Sequence, residues 1–120
     1  MKHLILFCCL FALLLNPVTA QDPVKVSPQY YKVLIDNDEV RVLEVRIKPG
    51  EKEPMHSHPP GVIYALSEAK IKSTLPDGKN EEIAVKTGEA RWREATTHAV
   101  ENIGTTDIRA FVVESKKAKK

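Results

Sequence analysis

The residues of this chain best suited to chemistry are three histidines, His56, His58 and His98. His56 and His58 stand two apart in Met55-His56-Ser57-His58. On a strand, side chains alternate between faces, so this spacing puts both imidazoles on one side, several ångströms apart. Two nitrogen donors so placed can converge on one ion at about 2 Å each. His98 lies far along the chain on another strand, from which it is expected to reach the same ion from across a barrel. A divalent ion held by neutral nitrogens acidifies bound water and draws anionic donors such as thiolate, enolate or carboxylate. Imidazole suits zinc, copper, iron and nickel alike, so the donor set leaves the metal open. A His-x-His pair is a weak signal alone. Its setting strengthens it: the pair follows Pro49-Gly50 and precedes an apolar strand, and His98 follows a second glycine turn at Gly88.

Such a triad needs strands to position it, and the chain supplies them. Its 120 residues suffice for one domain. Apolar and polar residues alternate in short runs separated by turn signals, which is the strand period. In Arg41 to Lys48, Leu43, Val45 and Ile47 point one way and Glu44, Arg46 and Lys48 the other. Tyr31, Val33 and Ile35 repeat the pattern before the turn Asp36-Asn37-Asp38. Further strands are expected over Val62 to Leu66, Ala69 to Leu75, Glu82 to Lys86, Ala90 to Arg93, Thr97 to Asn102 and Ile108 to Glu114. Pro76-Asp77-Gly78 and Thr87-Gly88 supply turns. Asp22 to Pro28 reads as an extended lead-in, because its prolines disfavour helix. Many short strands without a helix make a sandwich or barrel, since closure removes exposed edges.

Residues 1–20 read as a cleavable signal peptide: Lys2, an apolar run from Leu4 to Leu15, then small residues at Val18-Thr19-Ala20. About a dozen apolar residues fall short of the roughly twenty that span a membrane. The expected product is a secreted or periplasmic chain from Gln21 to Lys120, with no stable membrane association. Cys8 and Cys9 leave with the leader, so neither disulfides nor cysteine chemistry is available to the remainder. The expected organisation is a lead-in and first strand over 21–38, a barrel over 39–115 and a basic tail over 116–120. The formal net charge is +2. Lys116, Lys117, Lys119 and Lys120 concentrate positive charge in that tail, which reads as a frayed, solvated end and not as a nucleic-acid site. No phosphate-cradling glycine loop, dinucleotide fingerprint or Ser-His-Asp setting is present.

The residues around the histidines resemble a family. Gly50-Glu51-Lys52-Glu53-Pro54-Met55-His56-Ser57-His58 is similar to the first cupin motif, and Gly88 through His98-Ala99-Val100-Glu101-Asn102 to the second. The resemblance runs from about Val40 to Val113. It implies a jelly-roll barrel, all-β and single-domain, with the three histidines binding one divalent metal ion (iron, zinc, manganese, nickel or copper) inside. The family pattern also expects a glutamate three or four residues after the second histidine. Val62 and Ile63 occupy those positions here, and a one-residue gap offers only Gly61. The second motif is one residue short and carries Glu94 and Thr96 where proline and glycine are usual. Some cupins without the glutamate are three-histidine iron dioxygenases acting on thiols or β-diketones, so iron is favoured if the chain is an oxygenase on a small organic substrate. A zinc-type hydrolytic site and a non-catalytic metal or small-ligand binding module remain open. A homodimer through edge strands is a further implication of the resemblance.

Other residues near the motifs carry weaker expectations. Glu53 and Glu101 have opposite parity to their neighbouring histidines and, with Glu94, are expected at the surface. Tyr64 either lines the cavity or packs in the core with its hydroxyl at the rim. Trp92 is expected in the barrel wall. Alternation does not say which of Arg41, Arg91, Arg93 and Arg109 points inward. Asn102 reads as a turn residue or a support to the ligands.

Overall fold

The structure is a computed structural model that describes residues 21–117. The expected signal peptide, with Cys8 and Cys9, and the end of the basic tail lie outside the described residues. A short helix α1 (Pro23–Val26) and a 3-10 turn (Pro28–Tyr30) precede nine strands. These are β1 (Tyr31–Asp36), β2 (Val40–Ile47), β3 (Lys52–His58), β4 (Gly61–Ala65), β5 (Ala69–Thr74), β6 (Asn80–Val85), β7 (Ala90–Arg93), β8 (Thr96–Asn102) and β9 (Ile108–Ser115).

The strands form two antiparallel sheets, one in the order β1-β2-β9-β4-β7 and the other β3-β8-β5-β6. The chain crosses between the sheets after β2, β3, β4, β6, β7 and β8, which is the jelly-roll path of a double-layered barrel. Glycine makes the turns possible. Gly50, Gly78 and Gly88 all have positive φ, each at a turn read from sequence. The core fills the space between the sheets. Leu43, Val45 and Ile47 of β2 pack with Ala69 of β5 and with Ile108 and Val112 of β9. Ile63, Ile71, Val85 and Val100 close around them.

The lead-in is not extended. Asp22 caps α1, its Oδ1 accepting from the Val24 N–H at 2.9 Å, and Pro23 occupies the first turn. The first turn needs no proline N–H, so the residue that argues against helix elsewhere favours its start here. The segment is tied to the barrel: the Ser57 N–H donates to the Gln21 carbonyl at 2.7 Å, and Asp22 pairs with Arg41 at 2.7 Å. The described part of the basic tail is also held. The Lys116 ammonium pairs with Asp36 and that of Lys117 with Glu39.

Candidate metal centre

His56 and His58 lie on β3 and His98 on β8, the neighbouring strand, where His56 and His98 are direct partners in register. His98 therefore reaches the site from beside the pair and not from across the barrel. Strand alternation cannot foresee which strands pair. The ring centroids of His56 and His58 are 4.7 Å apart, those of His56 and His98 4.7 Å, and those of His58 and His98 5.5 Å. One ligand nitrogen from each lies within 4.8 Å of the other two. The arrangement suits a single ion with short bonds to imidazole.

Each ring is oriented by a bond on its Nδ1. His56 donates to the Pro54 carbonyl at 2.8 Å, and His58 donates to Glu114 Oε2 at 2.8 Å. His98 is hydrogen-bonded with the Ser73 hydroxyl at 3.0 Å. Such outer bonds fix the tautomer and leave the opposite nitrogen free for a metal. The Nε2 atoms of His56 and His98 are indeed buried with no hydrogen-bond partner. A buried imidazole nitrogen without a partner is costly unless something completes it. Burial pushes the His56 imidazole down to about 4 and that of His98 to about 3, and it lowers His58 as well. All three are neutral at pH 7, the state that ligates metal. These residues fit a divalent ion.

Carboxylates and a phenol surround the triad, and sequence reasoning missed them. Glu53 is buried (2% exposed), its Oε1 3.2 Å from His56 Nδ1, and it accepts a short hydrogen bond from the Tyr31 hydroxyl. A bulge is responsible. Glu53 pairs with Val100 and His56 with His98, so β3 spends three residues where β8 spends two. The extra residue cancels the parity difference and turns Glu53 inward. Burial raises its carboxyl to about 7. Glu114, at the inward-facing end of β9, accepts from His58 and from Arg41 Nε at 2.8 Å. Burial alone would raise Glu114, but those bonds hold it below its ordinary range. Arg41 continues to Asp22, so an ionic chain runs from the N-terminal segment to His58.

Other expectations also change. Tyr64 is 43% exposed and lies outward with Val62, because β4 turns Gly61, Ile63 and Ala65 inward. The phenol at the site belongs to Tyr31 instead. Trp92 is not buried in the wall; it is 58% exposed, its Nε1 bonded to Glu94 at 2.9 Å. Arg91 and Arg93 line the cavity, Arg91 bonded to Glu89 and to the Ala84 carbonyl, and Arg41 turns inward onto Glu114. Glu101 is partly exposed beside Lys52, as expected of a surface residue. Asn102 staples the far end of the barrel through the Ile47 and Thr106 carbonyls and stands apart from the histidines. A cavity of about 380 Å³ opens from the triad between the sheets. Its wall is largely apolar.

Solved structures share this architecture. A cupin domain from Bordetella pertussis is 27% identical, with a TM-score of 0.67 over 72% of this chain and 92% of its own. A double-stranded β-helix protein of the RmlC-like cupin family from Methanocaldococcus jannaschii is 18% identical, with a TM-score of 0.57 over 71% of this chain and 77% of its own. The fold is that of the cupins. The polyketide cyclase RemF from Streptomyces resistomycificus is also similar, 26% identical with a TM-score of 0.54 over 72% of this chain and 64% of its own. No protein-family model and no curated protein matches the chain. Within the cupin fold, this chain departs from the motif pattern in its missing glutamate, with Val62 and Ile63 at those positions. The described residues offer a cluster of three histidines as ligands, with no carboxylate among them.

Proposed function

We propose that this protein is an exported cupin that holds one divalent ion on His56, His58 and His98 and presents it to a small organic molecule in the cavity. The observation that carries the reading is the pair of buried, unpartnered Nε2 atoms, set on rings whose Nδ1 atoms are already engaged. When bound, such an ion would supply Lewis acidity and, if iron, a route to oxygen chemistry on a thiol or diketone. The remaining work falls to the chain. Pro54, Glu114 and Ser73 orient the rings, and the apolar wall excludes water. Glu53, hydrogen-bonded to Tyr31 beside the triad, is placed to hold or release a proton near neutral pH. A metal-dependent dioxygenase is the sharpest form of the proposal. The likeness to a polyketide cyclase favours a second form, in which the same site acts on a carbonyl compound without oxygen and Glu53 moves the proton.

Metal content and oxygen uptake test the proposal together. The purified protein is expected to retain about one ion per chain and, reconstituted with ferrous iron, to consume oxygen with a thiol or diketone. Both are expected to vanish in His98→Ala. Full metal content in His56→Ala and His58→Ala would overturn the site. Tight metal without oxygen uptake would leave the carbonyl chemistry or a pure binding role.

A further inference from the structure

One charged group in the cavity has no part in holding an ion. Arg93 ends β7 and lines the same cavity as His56, His58 and His98, from the opposite sheet. Its Nε and Nη2 are both buried, and neither has a hydrogen-bond partner among the described residues. These two nitrogens share one edge of the planar guanidinium, the edge that grips a carboxylate through two parallel N–H···O bonds. The acidic groups whose fields reach Arg93 are engaged elsewhere: Glu114 with Arg41 and His58, Glu53 with Tyr31. Burial lowers the guanidinium from its ordinary value, yet an arginine keeps its charge at neutral pH. A buried cation with two idle donors is costly unless something completes it.

Strand register explains the idle edge. Arg41, Glu114, Gly61 and Arg93 form one row across β2, β9, β4 and β7. Arg41 neighbours Glu114 and pairs with it. Arg93 stands two strands away, about 9–10 Å at the backbone, with a glycine between. No side chain fits at that glycine, since a Cβ on Gly61 would lie 2.1 Å from the Val113 carbonyl oxygen. The apolar part of the wall includes Ile63, Ile71, Ile83, Val85 and Val100, and Arg91, opposite Ile63, is already bonded to Glu89 and the Ala84 carbonyl.

We infer that Arg93 anchors the carboxylate of a small ligand whose apolar tail lies along Ile71, Ile83 and Val85. This deepens the reading of the cavity as a ligand site, but it does not require that the ion be bound. The three imidazoles are neutral, so they do not repel an anion. An ion on them would add positive charge, and a carboxylate restores the balance. The volume lies at the low end for small-molecule sites, which suits a short aryl or branched-chain acid.

The test compares 4-phenylbutyrate with its amide by titration calorimetry on zinc-loaded protein. The acid is expected to bind at least about tenfold tighter than the amide, as a charge-assisted pair implies. Arg93→Gln is expected to bring that ratio to about one with zinc content unchanged. Arg93→Lys, which keeps the charge but loses the fork, is expected to lower the ratio about threefold or more, and it carries the test if the glutamine variant does not fold. His98→Ala is expected to lose zinc and keep the ratio. Equal binding of acid and amide, no binding of either, or an unchanged ratio in the Arg93 variants overturns the inference. A ratio lost in His98→Ala and kept in Arg93→Gln also overturns it, because the acid then sits on the ion. A ratio that persists in a wild-type protein unable to hold zinc would instead sink the metal reading and leave Arg93 standing.

Discussion

The two ends of the barrel are built by the same strands in the same alternation, yet they hold opposite kinds of side chain. Inward positions on β2 run Arg41, Leu43, Val45, Ile47, and on β9 they run Ile108, Ala110, Val112, Glu114. Antiparallel pairing sets Arg41 against Glu114 and Ile47 against Ile108. One end therefore collects charge and the other collects apolar surface. At the apolar end burial is non-directional and scales with area. At the charged end every buried nitrogen and oxygen needs a partner of defined geometry, so that end fixes ring orientation. Stability and site geometry are thereby assigned to different halves of one structure, and that division can be tested.

Truncation in the apolar half carries the largest expected effect. Leu43 is fully buried at the centre of the core. Leu43→Ala is expected to cost about 2–5 kcal/mol in denaturant unfolding, the usual penalty for a cavity of that size. Metal stoichiometry of the folded variant should stay at the wild-type value. A folded Leu43→Ala protein that loses its metal would show that the two halves are not separable.

Glu114→Gln strikes the other half. Glu114 holds His58 by its Nδ1 and anchors Arg41 at the same time. Partners of this kind typically contribute about 10–100-fold to metal affinity. A chelator competition on the variant is expected to show a loss in that range. Unchanged affinity would mean that His58 is oriented by packing alone.

The two halves were unequally legible in the sequence. Alternation over Arg41 to Lys48 and over Ile108 to Glu114, punctuated by turn glycines, was enough to place those strands and the apolar core, whereas β3 (Lys52–His58) was not among the strands read from the sequence. The histidine pattern pointed to the three rings that the fold brings together. The residues around them were hidden for separate physical reasons. Glu53 was masked by a bulge, which a parity count cannot see. Glu114 and Arg41 share parity with Val112 and Leu43, a signal that was present but outweighed by the expectation that charges face water. In β7, Ala90–Arg93 offers too few alternations to orient Arg93 or Trp92. In β4, Val62-Ile63-Tyr64 is apolar on both faces, so its direction was undetermined. The helix at Pro23 was missed because proline starts a helix as readily as it breaks one.

The smallest expected effect separates the halves by their response to pH in the metal-free protein. Burial holds His56 and His98 at about 4 and about 3, below the ordinary 6.5 of an unfolded histidine. The unfolded chain then takes up protons that the folded chain refuses. The stability these residues contribute is complete above about pH 6.5 and is lost as pH falls toward 4. Glu53 has the opposite sign. Its folded value of about 7 exceeds the ordinary 4.5 of a glutamate, so its contribution is complete below 4.5 and is lost as pH rises through 7. Between pH 4.5 and 6.5 the two oppose each other, and Glu53 partly offsets the acid loss. Glu53→Gln removes the offset, so unfolding free energy should fall more steeply on acidification, by about 1.4 kcal/mol per pH unit in that window. Leu43→Ala should leave the slope unchanged, since the buried groups that set it, His56, His98 and Glu53, lie in the other half. Equal slopes for wild type and Glu53→Gln, measured by urea unfolding at several pH values, would show that Glu53 does not keep its proton inside the folded barrel.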